Sequence, residues 1–174
     1  MQGRLIVITV LLFSISGIAQ QTMAFKGSKN YPETQTWDFL CEQYAMTGIV
    51  HVQVSKTEDG GALKLSVETS NPTFVIGGTV YVYLADHSLI TCLDKAVRES
   101  NGNQIAGYYK LSASETKKMK ASDIESIRFW IKGTQGVFSS QTGNFTALNK
   151  KGYFAGSFDK EKSSFDTALE INSL

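Results

Sequence analysis

The chain has 174 residues, with 17 basic and 16 acidic side chains and a formal net charge of +1 at pH 7. A nearly neutral protein has no net electrostatic attraction for nucleic acid or for acidic lipid, so neither is predicted as a partner. Hydrophobic residues make up 42% of the sequence and there are only two prolines. This composition is typical of a folded domain and excludes a disordered chain.

The first 19 residues have the pattern of a secretory signal peptide. Arg4 precedes an apolar run at 5–15, and small residues follow at Gly17 and Ala19. The run is too short to span a bilayer as a helix, which takes about 20 residues. We therefore expect cleavage near Gln20 and export to the periplasm or the extracellular medium. The remaining chain has no second apolar run of membrane length, so no transmembrane segment is predicted in it.

Residues 20–36 are polar and predict a flexible N-terminal lead, followed by a single β-rich domain at 37–174. Within the domain, apolar and polar residues alternate with period two in several runs that are separated by turn residues. The strands that this alternation predicts are 49–55, 63–67, 79–84, 89–93, 104–111 and 126–132.

Two short helices interrupt this pattern. Ser112 and Glu115 fit a capping box at the start of one helix, and Ser163 with Asp166 resembles a second cap. Because strands dominate, we predict an α+β domain, mostly antiparallel β-sheet, with short helices near 112–120 and 164–173. A less regular tail predicts a long connection laid over the sheet, with aromatic residues at Phe138, Phe145, Tyr153, Phe154 and Phe158.

Two stretches resemble small exported proteins of Bacteroidetes-type bacteria. They are "YAMTG" at 44–48 before a strand and "GYYKLSASETKKMKASDIESIRFWIKG" at 107–133. The signal that ends in Ala19-Gln20-Gln21 is in the same style. Such proteins have no assigned activity. The resemblance therefore implies an exported β-rich module and transfers no catalytic residue.

Cys41 and Cys92 are the two cysteines of the chain. In an oxidising compartment an even number of cysteines can pair, so they form a candidate disulfide. The alternative is two buried free thiols, which pack as small hydrophobic side chains.

The sequence has no GxSxG elbow, phosphate loop, HExxH or CxxC motif. His51 lies on the polar face of a predicted strand and is interpreted as a surface residue. His87 follows Asp86 in a predicted turn, with Cys92 five residues later. A catalytic pair there would need the side chains to converge in space, which leaves a small secreted hydrolase near His87 as the alternative function.

Glu58 and Asp59 precede two glycines in the first predicted turn. Their carboxylates could offer oxygens to calcium, but a calcium loop takes several more ligands at fixed spacing. A solvated turn explains the same residues, so neither a metal nor another cofactor is predicted.

Arg128, Trp130 and Lys132 project from one face of a predicted strand, and Tyr81, Tyr83 and Tyr108 lie on polar faces of neighbouring predicted strands. If these faces coincide, they form an aromatic platform with cationic edges, and aromatic and arginine side chains supply much of the binding energy at protein interfaces. Flat aromatic rings also stack on sugars. The candidate binding residues are Arg128, Trp130, Lys132, Tyr81, Tyr83 and Tyr108. The alternative is that the helix near 112–120 or the Phe-rich tail covers this face. We predict a non-catalytic exported or envelope-associated module that binds a protein or a glycan through the sheet surface.

Overall fold

The computed structural model describes residues 22–24, 30–44, 46–133, 138–152 and 163–174. The predicted signal peptide at 1–19 lies outside them, as do Tyr153, Phe154 and Phe158. The described part of the chain is mostly antiparallel β-sheet with two short helices, and mostly-β describes it better than the predicted α+β class. No helix in these ranges is both long enough and apolar enough to cross a bilayer.

The strands are β1 (Thr22–Ala24), β2 (Asn30–Pro32), β3 (Trp37–Leu40), β4 (Ile49–Thr57), β5 (Gly60–Glu68), β6 (Val75–Ile76), β7 (Val80–Leu84), β8 (Leu89–Cys92), β9 (Val97–Asn101), β10 (Gln104–Ser112), β11 (Ile124–Lys132) and β12 (Gly143–Leu148). The helices are α1 (Ala113–Ala121) and α2 (Thr167–Asn172). Strands β1 and β2 pair with each other. The other ten form one sheet in the order β8-β7-β11-β12-β3-β4-β5-β10-β9, with β6 paired to β11. The six predicted strands are confirmed as β4, β5, β7, β8, β10 and β11.

The sheet is curled, and its inward side chains form the core. The curl brings β10 close to β6. A Cβ built on Gly107 of β10 would lie only 3.2 Å from the Cβ of Ile76 of β6. Arg98 donates from Nε to the carbonyl of Ile76 at 2.9 Å and pairs with Asp94, whose carboxylate accepts from the N–H of Gly78. This partly buried ion pair therefore joins the end of the sheet to the segment around β6.

The described part of the predicted lead runs along β4. Glu33 forms a β-bridge with Ser55, and the N–H of Thr34 donates to the carbonyl of Val54 at 2.9 Å. The side chain of Thr34 is buried. These contacts extend the line of β3 toward the N-terminus.

Helix α1 has the predicted capping box. The Ser112 hydroxyl accepts from the N–H of Glu115 at 3.3 Å, and the Glu115 carboxylate accepts from the N–H of Ser112 at 2.7 Å. Met119 of this helix is fully buried in the core. Replacing a capping serine with alanine typically costs about 1 kcal/mol of stability. The capping box therefore helps to fix the position at which α1 starts.

Helix α2 begins at Thr167 and not near 164, and Asp166 at its N-cap makes no side-chain capping hydrogen bond. Asp123, 45 residues away, accepts from the N–H of Ala168 at 2.8 Å instead. The hydroxyl of Thr167 also accepts from the N–H of Ile124 at 2.8 Å. The helix start is thus set by a contact between distant segments, which the local sequence does not contain.

The prediction of a long connection over the sheet is wrong for the residues that the structure describes. Phe145 belongs to β12, which lies between β11 and β3, and its ring packs 5.3 Å from that of Tyr44 and 6.0 Å from that of Phe129. Phe138 is 95% exposed and therefore does not pack on the sheet.

Candidate functional site

Strand β11 separates its side chains cleanly between core and solvent. Ile127, Phe129 and Ile131 are buried, whereas Arg128, Trp130 and Lys132 are exposed. This division follows from the period of two, because successive side chains point to opposite faces of a sheet. The three predicted binding residues of this strand therefore share its outer face.

The register aligns the neighbouring outer side chains into rows. Arg128 lies opposite Tyr81 of β7 on one side and opposite Thr146 of β12 on the other. Trp130 lies opposite Asn144. We call this face the Trp130 surface, and its members are Tyr81, Tyr83, Arg128, Trp130, Lys132, Asn144 and Thr146.

An open groove of about 520 Å³ lies on this face. It is lined by the side chains Gln43, Tyr83, Glu125, Ser126, Arg128, Asn144 and Thr146. The register of β11 against β7 shifts between Ile124 and Ser126. Such a β-bulge re-aims side chains, and here Glu125 is exposed at the groove beside Ser126. The groove thus combines two amides, hydroxyls, a carboxylate and a guanidinium.

The guanidinium of Arg128, which lines the groove, has no direct partner in the described part of the chain. It makes no ion pair and no hydrogen bond within the described ranges. Lys132 differs, because its ammonium lies close to Gly78 and within electrostatic reach of Asp94. Arg128 is therefore the cation of the Trp130 surface that is best placed to meet an incoming anion.

Tyr108 does not belong to this surface, which corrects the prediction. It lies on β10, and four strands separate β10 from β11 in the sheet order. Its side chain is buried, with its hydroxyl donating to Glu99 and the ammonium of Lys64 5.7 Å from its ring centroid. Burial and the hydrogen bond to Glu99 raise the pKa of Tyr108. The two faces predicted to coincide lie on opposite halves of the sheet.

The alternative in which a helix covers the Trp130 surface is not what the structure shows. Helix α1 packs against β5, β10 and α2. The indole of Trp130 remains 45% exposed. An exposed tryptophan beside an exposed arginine is the kind of surface that marks a binding site.

A second row of polar residues crosses the other half of the sheet. Asp38, His51 and Ser66 lie directly opposite one another on β3, β4 and β5, and Nδ1 of His51 is 2.7 Å from the carboxylate of Asp38. The order Asp38, His51, Ser66 matches the acid, base and nucleophile of a catalytic triad, but the exposure is reversed, since Ser66 is 4% exposed and the Asp38 side chain 55%. The buried hydroxyl of Ser66 is poorly placed to attack a substrate.

Sequence reasoning treated His51 as a lone surface residue and missed this row. The row exists only because β3, β4 and β5 pair with one another, and β3 was not among the strands predicted from the sequence. Asp38 and His51 are 13 residues apart, so their contact depends on the turn between β3 and β4.

The loop around His87 is built as a turn. The carboxylate of Asp86 accepts from the N–H of Ser88 at 2.9 Å, and His87 has a φ of 67° in the left-handed region. The Asp86 carboxylate therefore stabilises the turn through its hydrogen bond with Ser88. Cys92, the predicted partner, is buried, and burial raises the pKa of its thiol to about 12. A protonated, buried thiol does not serve as a nucleophile near neutral pH.

The candidate disulfide is absent, and the alternative of two buried free thiols holds. Cys41 follows β3 and Cys92 ends β8, with three strands between them in the sheet order. Neighbouring strands lie about 4.8 Å apart, whereas a disulfide requires its Cα atoms within about 7 Å.

Both thiols should resist labelling in the native protein at pH 8. Burial is the main cause that raises the pKa of Cys41 to about 11 and that of Cys92 to about 12, so both sulfurs stay protonated there. Denaturant should release both for reaction without a reductant, which an aromatic disulfide reagent measures by absorbance. Two unreactive cysteines in denaturant would show that they are bonded.

Glu58 and Asp59 form the two-residue turn between β4 and β5. The carboxylate of Asp59 lies 3.4 Å from the ammonium of Lys110. Across the described ranges, no group of three or more His, Cys, Asp or Glu side chains is arranged to hold a metal ion.

Comparison of the chain with protein-family models, with curated protein sequences and with solved structures finds no significant match.

Proposed function

We propose that this protein is an exported, non-catalytic binding module that holds a glycan on the Trp130 surface. The observation that carries the proposal is the position of Trp130, exposed beside an open groove with polar walls. The flat apolar face of an indole suits the C–H face of a sugar ring. A few placed polar groups then fix the orientation of the ligand and supply specificity.

The walls of the groove match the hydrogen-bonding needs of sugar hydroxyls. Gln43 carries a donor and an acceptor on one planar group, Asn144 adds its amide N–H donors because its Oδ1 is buried, and Glu125 adds two acceptor oxygens. Ser126 and Thr146 add hydroxyls that both donate and accept. Export is proposed from the signal pattern at 1–19 and would place the protein in the periplasm or the medium, where envelope glycans occur.

A protein partner is the second candidate, and one observation favours it. Leu89 lies opposite Tyr83 and is 43% exposed, so it adds an aliphatic side chain at the margin of the Trp130 surface. Apolar side chains around an aromatic and arginine centre are typical of protein interfaces.

Trp130→Ala should weaken glycan binding by more than about 2 kcal/mol, the scale of a binding hot spot. The folded state should be nearly unaffected, because a half-exposed side chain leaves no core cavity. A glycan array identifies ligands of the purified protein, and calorimetric titration then compares it with the variant. Lys117→Ala, an exposed change on α1, which packs against β5, β10 and α2, is the matched control and should bind normally.

Two other results would decide against the glycan. If the array retains no glycan, while an envelope protein binds the wild type and not Trp130→Ala, the ligand is a protein. If His87→Ala abolishes a hydrolytic activity that Trp130→Ala preserves, the protein is an enzyme and the proposal is wrong.

A further inference from the structure

We infer that the groove selects an acidic glycan and that Arg128 is the residue that selects it, an inference that rests on the proposed function. Arg128 lines the groove and has no ionic partner within the described ranges. A guanidinium presents several N–H donors in a planar fork that matches the two oxygens of a carboxylate or sulfate.

The register holds Arg128 in the middle of its row. Tyr81 and Thr146 flank it on the neighbouring strands, and both strands pair directly with β11. A side chain that projects from a paired central strand has its backbone fixed, so less order is lost when a ligand binds. The guanidinium is thereby presented to the groove from a rigid part of the sheet.

Glu125 and Arg128 carry opposite charges at the same groove. Its carboxylate is exposed at the same groove and, like Arg128, makes no ion pair within the described ranges. An anionic group of the ligand is attracted to Arg128 and repelled from Glu125. Neutral hydroxyls suit the end of the groove at Glu125 and Ser126, whereas the charged substituent belongs at Arg128.

A glycan longer than one sugar unit can reach both Trp130 and the groove. Trp130 does not line the groove, but it lies two residues from Arg128 on the same face of β11. Two residues along a strand span about 7 Å. One ring of the glycan can therefore stack on Trp130 while an adjacent unit places its anionic group at Arg128.

The test uses matched pairs of oligosaccharides that differ only in charge. Oligogalacturonate and its methyl ester share one backbone, and a sulfated galactan oligosaccharide and its desulfated, neutral form extend the test to sulfate. The wild type should bind an acidic member about tenfold or more tightly than its neutral partner at low salt. The pair that shows the preference identifies the anionic group as carboxylate or sulfate.

Arg128→Gln should lower the affinity for the acidic member about tenfold more than the affinity for the neutral member, so that the preference is lost, and Arg128→Lys should keep part of the preference. Trp130→Ala should weaken both members. Equal binding of acidic and neutral members by the wild type would overturn this inference and leave the proposed function intact. Binding of neither member of any pair, on an array that also retains no other glycan, would overturn both.

Discussion

Replacing Phe129 with alanine should lower the free energy of unfolding by about 3–5 kcal/mol. The side chain is fully buried on β11, a strand paired on both sides, and its ring centroid lies 6.0 Å from that of Phe145. Truncation removes the transfer free energy of the ring and leaves a cavity, because paired strands cannot close over it. A loss of this size is a large part of the stability of a typical domain.

Trp130→Ala is the matched control on the same strand. It removes a larger aromatic ring from the neighbouring position, but that ring faces solvent. We expect its free energy of unfolding to stay within about 1 kcal/mol of the wild type. Denaturant unfolding of the three proteins measures both values. Similar losses for the two variants would mean that the inner and outer faces of β11 are assigned wrongly.

Gly60→Ala should lower the free energy of unfolding by about 4 kcal/mol. Gly60 has a φ of 147°, and a Cβ there would lie 2.4 Å from the carbonyl oxygen of Leu111 and 2.6 Å from the carbonyl carbon of Ser112. Both atoms belong to the backbone at the junction of β10 and α1, so neither can rotate away. The substitution therefore combines backbone strain with a clash that displaces the start of the helix.

Gly102→Ala separates these two effects. Gly102 has a φ of 58°, and a Cβ there would meet nothing within 4 Å. Only the backbone strain applies, which costs about 1 kcal/mol. The measurement is again denaturant unfolding, with circular dichroism to follow the helix signal. Equal losses for the two alanine variants would contradict the close contact between β5 and the end of β10.

The strands that could be predicted from the sequence are those whose alternation is long. β4, β5, β10 and β11 are each nine residues long, and the alternation is clearest in β4 and β11. β12 was missed because only Phe145 and Ala147 face the core among polar and glycine residues. Its strand conformation depends on pairing with β11 and β3, which are distant in the chain. The start of α2 was misplaced for a similar reason, since its capping carboxylate comes from Asp123.

The candidate surface was predicted in part for the same physical reason. Alternation alone assigns Arg128, Trp130 and Lys132 to one face. The order of strands in the sheet decides which other residues join them, and that order is set by long-range pairing and by the curl. Tyr81 and Tyr83 therefore belong to the Trp130 surface, whereas Tyr108 lies on the other half of the sheet.

Mapping of backbone amide and indole N–H chemical shifts, during titration of the purified protein with an acidic oligosaccharide, tests the central claim most directly. The account predicts that the largest shifts fall on the indole of Trp130 and on the amides around Arg128 and Asn144. Shifts centred on the row of Asp38, His51 and Ser66, or on the turn at His87, would place the ligand elsewhere and contradict the account.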